Sequence, residues 1–472
     1  MDAQLTLIQP PKVRIKYNIS GIYAMPPLGI AYIAAYVRDR GIKVNILDMP
    51  AFKMSDQDLA NNVKSSSCFI YGITCNITNL SVASRLASII KQNNPKATVI
   101  IGGPGVTFGS DILFKKIKGI DIIVNGEGEE TTYEICKAVI DGAGLSSIRG
   151  ISYKAEGKVI VMPPRPYLNL DNLPLPARDI LPNHLYKMHP PFGIYPPMTL
   201  IETSRGCNYS CSFCTFKRPF SFRSASRVVD EVREVKNKYG VKEVHFVDPN
   251  FTYNRSNAEK ICALLIENKL NIHWTCKTRV DLVDKQLLQL MRNAGCYMIS
   301  YGIESGSQAI LNKVDKKISL VNTVNALRWT RQAKIRSSGY VLIGSPGETD
   351  DSINETVKLL KKLRPDFALF GRLLPDPNAL LTKEELRKGR IDLDTMYNFY
   401  NNIEKSHANF FGIDEDKINL WYNKSIRNFY FNLPYIFSKL IDFRSPQDLI
   451  NIFRGLRFLL TDRFISSSLT SK

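Results

Sequence analysis

Histidine is scarce in this chain: 472 residues hold five, none before His184, so the preceding stretch supplies no imidazole to a metal. Long hydrophobic runs are missing too, and no apolar stretch reaches the roughly 20 residues that a bilayer-spanning helix needs. The opening residues, Met1-Asp2-Ala3-Gln4, lack a basic head followed by an apolar core. No secretory leader is therefore read, and a cytoplasmic location is the expectation. Internal repeats, low-complexity tracts and RNA-binding signatures are also absent. Cysteines number nine, an odd count, and without a leader disulfides are not expected. Six of them (Cys68, Cys75, Cys136, Cys262, Cys276, Cys296) are scattered, mostly inside apolar stretches, as small core residues are. The other three cluster.

Hydrophobic content of 44% with 23% charged residues reads as globular, with apolar material for more than one core. The length suggests two or three domains. Lysine and arginine exceed aspartate and glutamate by 63 to 44, a net charge of +19. Such a surplus suits nucleic acid, anionic lipid or an acidic substrate, and equally a lysine-rich composition that serves no partner. With no RNA-binding signature beside it, no nucleic-acid partner is expected.

Short apolar segments alternate with helical periods from the start. Strands are predicted at Leu5–Ile8, Val44–Leu47, Cys68–Thr74, Thr98–Ile101 and Ile120–Val124, and helices at Leu28–Arg40, stopped by Gly41, and Leu80–Gln92. That rhythm indicates a doubly wound, Rossmann-like parallel sheet over residues 1–145. Ligands of such sheets bind beyond the carboxyl ends of the strands. Two of those ends run into glycine turns, Gly102-Gly103-Pro104-Gly105 and Gly126-Glu127-Gly128, where backbone can approach a large ligand closely. A hairpin at Ile151–Val161 follows, and Pro163 to Pro197 then holds ten of the 25 prolines. Residues 146–197 therefore read as hairpin and semi-rigid linker.

From Thr199 the rhythm resumes, with strand patterns at Thr199–Glu202, Glu243–Val247, Ile272–Cys276, Tyr297–Tyr301, Gly339–Ile343 and Phe367–Phe370. Six such units suit a partial (β/α)6 barrel over residues 198–376, with working residues at the C-terminal strand ends. Residues 377–472 read as a helical C-terminal region, where Ser445-Pro446 would start a helix that places Leu449, Phe453, Leu456 and Leu460 on one face. The fold class is α/β.

Cys207, Cys211 and Cys214 lie in the segment Arg205-Gly206-Cys207-Asn208-Tyr209-Ser210-Cys211-Ser212-Phe213-Cys214, just past the first barrel strand. Thiolates are the usual ligands of iron–sulfur clusters. Three of them within eight residues can wrap one 4Fe–4S cubane and leave its fourth iron open to a substrate. A zinc knuckle would need a fourth ligand nearby, and His184, His189 and His245 are not in phase with one.

This spacing resembles the radical S-adenosylmethionine (SAM) superfamily, and the likeness extends along the barrel. Phe213 matches the aromatic that flanks adenine in that family. Glu243 to Asn250 resembles its second strand and loop, and Arg279-Val280-Asp281 its Arg-x-Asp position. Tyr301 to Ser307 resembles its fourth-strand segment, and Gly344-Ser345-Pro346-Gly347-Glu348 its fifth-strand loop. The resemblance implies Phe213, Arg279, Glu304, Ser305, Gly344, Pro346 and Gly347 as SAM-binding residues, with Arg279 holding the SAM carboxylate or a substrate anion. It also implies an electron donor such as flavodoxin or ferredoxin.

Ala24 to Tyr36 resembles the opening helix of the cobalamin-binding domain fused to many radical SAM enzymes, and the two glycine turns match its later ones. The branch resembled includes hopanoid methylases and the anaerobic magnesium-protoporphyrin ester cyclase. By this resemblance Tyr23, Met25, Pro26, Thr74, Asn76, Gly102, Gly103, Pro104, Gly126 and Glu127 would contact cobalamin. One departure matters: many cobalamin proteins ligate cobalt through a histidine, and none is available here. Either cobalamin binds without a histidine beneath it, or the domain is a relic that holds none.

The resemblance implies a cobalamin-dependent radical SAM methyltransferase that methylates an unactivated carbon of a small-molecule or natural-product substrate, using a 5′-deoxyadenosyl radical and methylcobalamin. The same machinery doing a cyclisation, oxidation or rearrangement without methyl transfer is the alternative. A non-catalytic cobalamin or iron–sulfur sensor is a third class, which an intact SAM constellation speaks against. Lys424 to Arg463 mixes aromatics with arginines. It reads either as a helical lid on the barrel or as a peripheral contact with the inner membrane face.

Overall fold

The computed structural model of the chain describes residues 3–11, 13, 24–186, 192–216, 218–403, 410–441, 446 and 449–450. Two units divide it: Met1–Tyr186 with Asp376–Asn378 and Thr382–His407, and Lys187–Pro375 with Ala379–Leu381 and Ala408–Lys472.

The first unit is built on strands β1 (Leu5–Gln9), β2 (Val44–Asp48), β3 (Ile70–Thr74), β4 (Thr98–Gly102), β5 (Ile122–Val124), β6 (Ile151–Ala155) and β7 (Lys158–Val161). They form one sheet in the order β2-β1-β3-β4-β5-β6-β7. The first five run parallel, as the alternating pattern predicts. The helix Leu28–Arg38 sets Ile30, Ala31, Ala34, Ala35 and Val37 into a core with Leu5, Leu7, Ile46, Ile70, Ile100 and Ile122. Three alanines on that face leave little side chain between helix and sheet, so truncating Ile30 to alanine would cost about 2–5 kcal/mol.

The hairpin assigned to the linker is part of this sheet. β6 pairs antiparallel with β5 and with β7, so the sheet is mixed rather than wholly parallel. Much of the proline-rich stretch is likewise a cover, not a spacer. Leu170 and Leu173 are buried on Tyr32 and Tyr36, Ala177 N–H donates to the Ala31 carbonyl at 3.0 Å, and the Tyr186 hydroxyl donates to Asp48 Oδ2 at 2.7 Å. Prolines alone do not report what a neighbouring leucine packs against.

In the second unit β8 (Met198–Ile201) leads to two short strands, β9 (Ser204–Arg205) and β10 (Ser221–Phe222). After them come β11 (Glu243–Phe246), β12 (His273–Thr278), β13 (Cys296–Glu304), β14 (Arg336–Ile343) and β15 (Phe367–Arg372). Six of these form a parallel sheet in the order β15-β14-β13-β12-β11-β8, matching the predicted half-barrel. Amphipathic helices separate them; Ala225–Tyr239, for example, buries Val228, Val229, Val232 and Val235 and stops at Gly240 in a left-handed conformation.

The helices expected as a separate C-terminal region divide between the units. Leu393–Asn401 belongs to the first, where Tyr397 and Tyr400 pack edge-on against Phe108 and Asp394 pairs with Lys116 at 2.6 Å. Glu415–Tyr430 belongs to the second and buries Ile418, Trp421, Tyr422 and Phe429. Among the described residues no helix is long and apolar enough to cross a membrane. The helix predicted from Ser445 lies mostly outside the described residues.

Candidate active site

The cysteine loop leaves the end of β8 under tight control. Thr203 donates its N–H and hydroxyl to Asp248 Oδ1, both at 3.0 Å, and Ser204 its hydroxyl at 2.7 Å and its N–H to the same oxygen. Asp248 follows β11, so one carboxylate ties the ends of two adjacent strands. β9 and β10 pair antiparallel and clasp the loop at both ends. At Gly206, with φ +85°, a Cβ would stand 2.5 Å from the Pro219 carbonyl oxygen, so only glycine allows the chain to double back there.

Cys211 is buried, while Cys207 and Cys214 are half-buried. Asn250 Nδ2 donates to Cys207 Sγ at 3.4 Å and Arg279 Nη1 to Cys211 Sγ at 3.7 Å. Burial pushes the Cys211 and Cys214 thiols up; Lys316 draws both back down, and Arg279 does so for Cys211. Sulfurs that receive N–H donors beside fixed positive charge suit thiolates bound to a cluster. Among the described residues no three His, Cys, Asp or Glu side chains converge to hold a single ion. The other six cysteines are buried, as core residues should be.

Arg279 has a different employment from the anion-holder expected. Its guanidinium is buried, forked onto Asp281 at 2.9 and 3.0 Å, and bonded to the Lys316 carbonyl at 2.9 Å. It also lies 3.7 Å from the centre of the Tyr209 ring. With its donors committed, it braces the cysteine loop. Ser305 is committed too: its hydroxyl is buried, accepts the Ser307 N–H at 3.1 Å and lies 3.3 Å from Thr356 Oγ1.

Glu304 ends β13 after a shift in strand register, with φ +62°, a left-handed conformation rare outside glycine and often found where function demands it. Its Oε1 accepts from Lys316 Nζ at 2.7 Å, and both side chains are nearly out of solvent. Gly302 makes room: a Cβ there would meet Glu304 Oε1 at 2.6 Å and Lys316 Nζ at 2.8 Å. The same ammonium stands 5.8 Å from the centre of the Phe213 ring. Lys316 thus joins cysteine loop, aromatic and Glu304, although it belongs to none of the sequence motifs.

The turn after β14 is held from below. Glu348 Oε2 accepts the N–H groups of Gly344 at 2.6 Å and Ser345 at 3.0 Å. Burial pushes its carboxyl up to about 7. Pro346 is half-buried and Gly347 exposed at the tip.

In the first unit Thr74, Asn76, Gly102, Gly103, Pro104, Gly126 and Glu127 lie at the carboxyl ends of β3, β4 and β5, and Met25 and Pro26 just before the helix Leu28–Arg38. Gly103, at φ +101°, leaves no room for a Cβ, which would stand 2.7 Å from the Cys75 carbonyl and 3.0 Å from Thr74 Oγ1. Pro104 opens the following turn. Gly126, at φ +97°, faces open space. Such bare backbone fits a bulky ligand that must come close. Asn76 spends its side-chain oxygen on Thr78 N–H and hydroxyl at 2.9 and 2.6 Å, and Glu127 Oε2 accepts the Leu168 N–H at 2.7 Å. Met25 is half-buried and Pro26 buried; Tyr23 lies outside the described residues.

A parallel half-barrel with three thiols past its first strand, in one chain with a doubly wound sheet that carries open glycine turns, defines a cluster-dependent SAM enzyme with an appended cofactor domain. Family models agree. Residues 201–360 match the radical SAM superfamily and residues 18–136 the B12 binding domain. The chain is 35% identical to an uncharacterized methyltransferase of Pyrococcus horikoshii, over 80% of this chain and 82% of that one. It is 30% identical to the anaerobic magnesium-protoporphyrin IX monomethyl ester cyclase of Rubrivivax gelatinosus, over 88% and 76%. The solved structure of the radical SAM methyltransferase TsrM from Kitasatospora setae, with cobalamin and a [4Fe-4S] cluster bound, superposes with a TM-score of 0.69 at 19% identity. That match covers 82% of this chain and 78% of the other, and it shows the shared fold. The chain belongs to the radical SAM superfamily, in the group that carries an N-terminal B12-binding domain.

Proposed function

We propose that the chain is a cobalamin-dependent radical SAM methyltransferase acting on an unactivated carbon of a small molecule. The observation that carries this reading is a loop with three thiols past the first strand of a barrel, where the buried Glu304–Lys316 pair acts on Cys211, in a chain that also carries a B12-binding domain. Cys207, Cys211 and Cys214 would hold the cluster, and the glycine turns after β4 and β5 would receive cobalamin. When bound, the cluster supplies an electron to the sulfonium C–S bond of SAM, and cobalamin supplies a carrier for the methyl group.

The chain's own residues do the positioning. Arg279 and Asn250 donate to the thiol sulfurs, Glu304 and Lys316 present a fixed pair of opposite charges to the polar end of SAM, and Glu348 keeps the Gly344–Gly347 turn in one shape. Hydrogen abstraction by a SAM-derived radical needs no protein acid or base. A flavodoxin or ferredoxin would be the electron donor.

The test is incubation of the anaerobically reconstituted, reduced chain with cobalamin and methyl-labelled SAM. Loss of a methyl group leaves S-adenosylhomocysteine, and reductive cleavage leaves 5′-deoxyadenosine and methionine. Both nucleosides should appear, and Cys211→Ala should lose bound iron and deoxyadenosine together. Deoxyadenosine without S-adenosylhomocysteine would move the assignment to ring closure or oxidation, the chemistry named for the Rubrivivax relative. Neither product would remove the enzyme reading. Leu433, Ile436 and Phe437, exposed on the helix Leu433–Ile441, motivate a lipid-facing role for the C-terminal helices. Absence of binding to anionic liposomes in low salt would remove that idea.

A further inference from the structure

Reductive cleavage of SAM takes an electron, and the sequence holds no second cysteine cluster that could relay one. A donor from outside must therefore approach the loop of Cys207, Cys211 and Cys214 itself. Beside that loop the chain leaves large aromatic side chains in solvent. Phe216 is 60% exposed and Phe222 45%. Phe220 stacks on Phe222 with ring centres 6.1 Å apart and leans on Tyr253 at 4.4 Å. Apolar rings gathered on a surface mark a place of contact with another molecule.

Short steps join this surface to all three thiols. The Phe216 backbone N–H draws the Cys214 thiol down. The Arg218 carbonyl accepts the Cys207 N–H at 3.2 Å, and the Phe220 N–H donates to Asn208 Oδ1 at 3.1 Å. Tyr253 meets the Tyr209 ring edge-on at 5.6 Å. Tyr209 in turn lies against the Arg279 guanidinium, which donates to Cys211 Sγ at 3.7 Å. An electron arriving at these rings has packed side chains and hydrogen bonds to follow rather than solvent.

Charge defines the partner that fits. Between Glu202 and Asp230 the sequence holds five basic residues, Arg205, Lys217, Arg218, Arg223 and Arg227, and no acidic one. Arg205 answers Glu202 and Arg223 answers Glu231. Lys217, Arg218 and Arg227 bring three further positive charges to the same stretch. A surface of that sign steers an acidic protein toward it.

We propose that Phe216, Arg218, Phe220 and Phe222 form the landing surface of an acidic flavin protein that delivers the electron. This rests on the radical SAM reading above and adds the partner. A flavin is a flat aromatic ring system whose edge can lie on phenylalanines, whereas an iron–sulfur donor keeps its cluster wrapped in cysteine-bearing chain. One electron leaves the reduced flavin and one enters the cluster; no bond forms or breaks. Electron-transfer contacts bury less than roughly 1,200 Å², an area that a few rings and charges can supply.

Calorimetric titration of the reconstituted chain, cluster in place, with an oxidised flavodoxin tests the surface. The flavodoxin should bind in low salt and lose most of that affinity in high salt. Phe216→Glu should weaken binding about tenfold or more, and Phe216→Ala and Arg218→Gln should each weaken it several-fold. Deoxyadenosine release is then driven by reduced flavodoxin in one arm and in the other by dithionite, which needs no landing surface. The variants should slow the first arm and leave the second at the wild-type rate. Equal loss in both arms by all three variants overturns the proposal, because the side chains are then structural. No binding in low salt, binding that none of the variants weakens, or a ferredoxin that binds through Phe216 where flavodoxin does not also overturns it. A wild-type chain that cleaves SAM with dithionite but ignores flavodoxin loses only the landing surface. One that binds flavodoxin through Phe216 but cleaves SAM with neither reductant loses only the proposed chemistry.

Discussion

Two turns of almost the same sequence, Gly102-Gly103-Pro104-Gly105 and Gly344-Ser345-Pro346-Gly347, end a strand in each unit and are held in different ways. The first is fixed by main chain alone: Cys75 N–H donates to the Gly102 carbonyl at 2.8 Å, and Gly105 N–H to the Cys75 carbonyl at 2.9 Å. The second has a main-chain bond of its own, Glu348 N–H to the Ser345 carbonyl at 3.0 Å, and adds to it one buried carboxyl, Glu348. The contrast extends to the sites around them. The first unit offers bare backbone, which tolerates the loss of a side chain and not the gain of one. The barrel offers buried charges, each of which needs its partner.

The widest departure from that contrast should come from breaking the Glu304–Lys316 pair. Lys316→Met leaves a carboxylate buried alone and should cost about 3–5 kcal/mol in a urea titration, whereas the double replacement with Glu304→Met should recover most of it. An additive double mutant would show that the two charges do not depend on each other.

Glu348 gives the next effect, and its sign is set by burial. The folded carboxyl holds its proton up to about 7 against an ordinary 4.5. Its stabilisation is therefore complete below pH 4.5 and is lost as the pH rises through about 7, on the order of 3 kcal/mol at most. Glu348→Gln should flatten the dependence of melting temperature on pH between 5 and 8. An unchanged slope would mean that another group titrates there.

Smallest is the mirror experiment in the first unit. Gly103→Ala forces a left-handed alanine against the Cys75 carbonyl and should cost about 1–3 kcal/mol, with no pH dependence across the same range. Thermal melts at both pH values check it; a pH-dependent penalty would erase the distinction between the turns.

How much of this could be read beforehand follows the same division. The thiol spacing and the six barrel strands were legible because their signals are local: residues a few positions apart and an apolar run that repeats. Lys316 was not, since nothing in Lys316-Lys317 says which lysine is buried; only the packing that puts Gly302 and Phe213 beside it decides. Arg279 was legible as a motif position, but its fork onto Asp281, two residues on, was not, because the packing of the cysteine loop sets it. The β6–β7 hairpin was recognised as a hairpin, yet its antiparallel attachment to β5 depends on a surface far away in sequence.

The helix Leu393–Asn401 sets the order in which the polypeptide can be finished. Phe108 rests on Tyr397 and Tyr400, so the earlier unit stays incomplete until synthesis has passed all six barrel strands. During translation the ribosome would carry a nearly finished first half with an aromatic face still uncovered, exposed to aggregation in the way of other partly folded chains. A fragment stopped before residue 393 would keep that vulnerability permanently, and no single cut in the backbone can separate two self-sufficient halves.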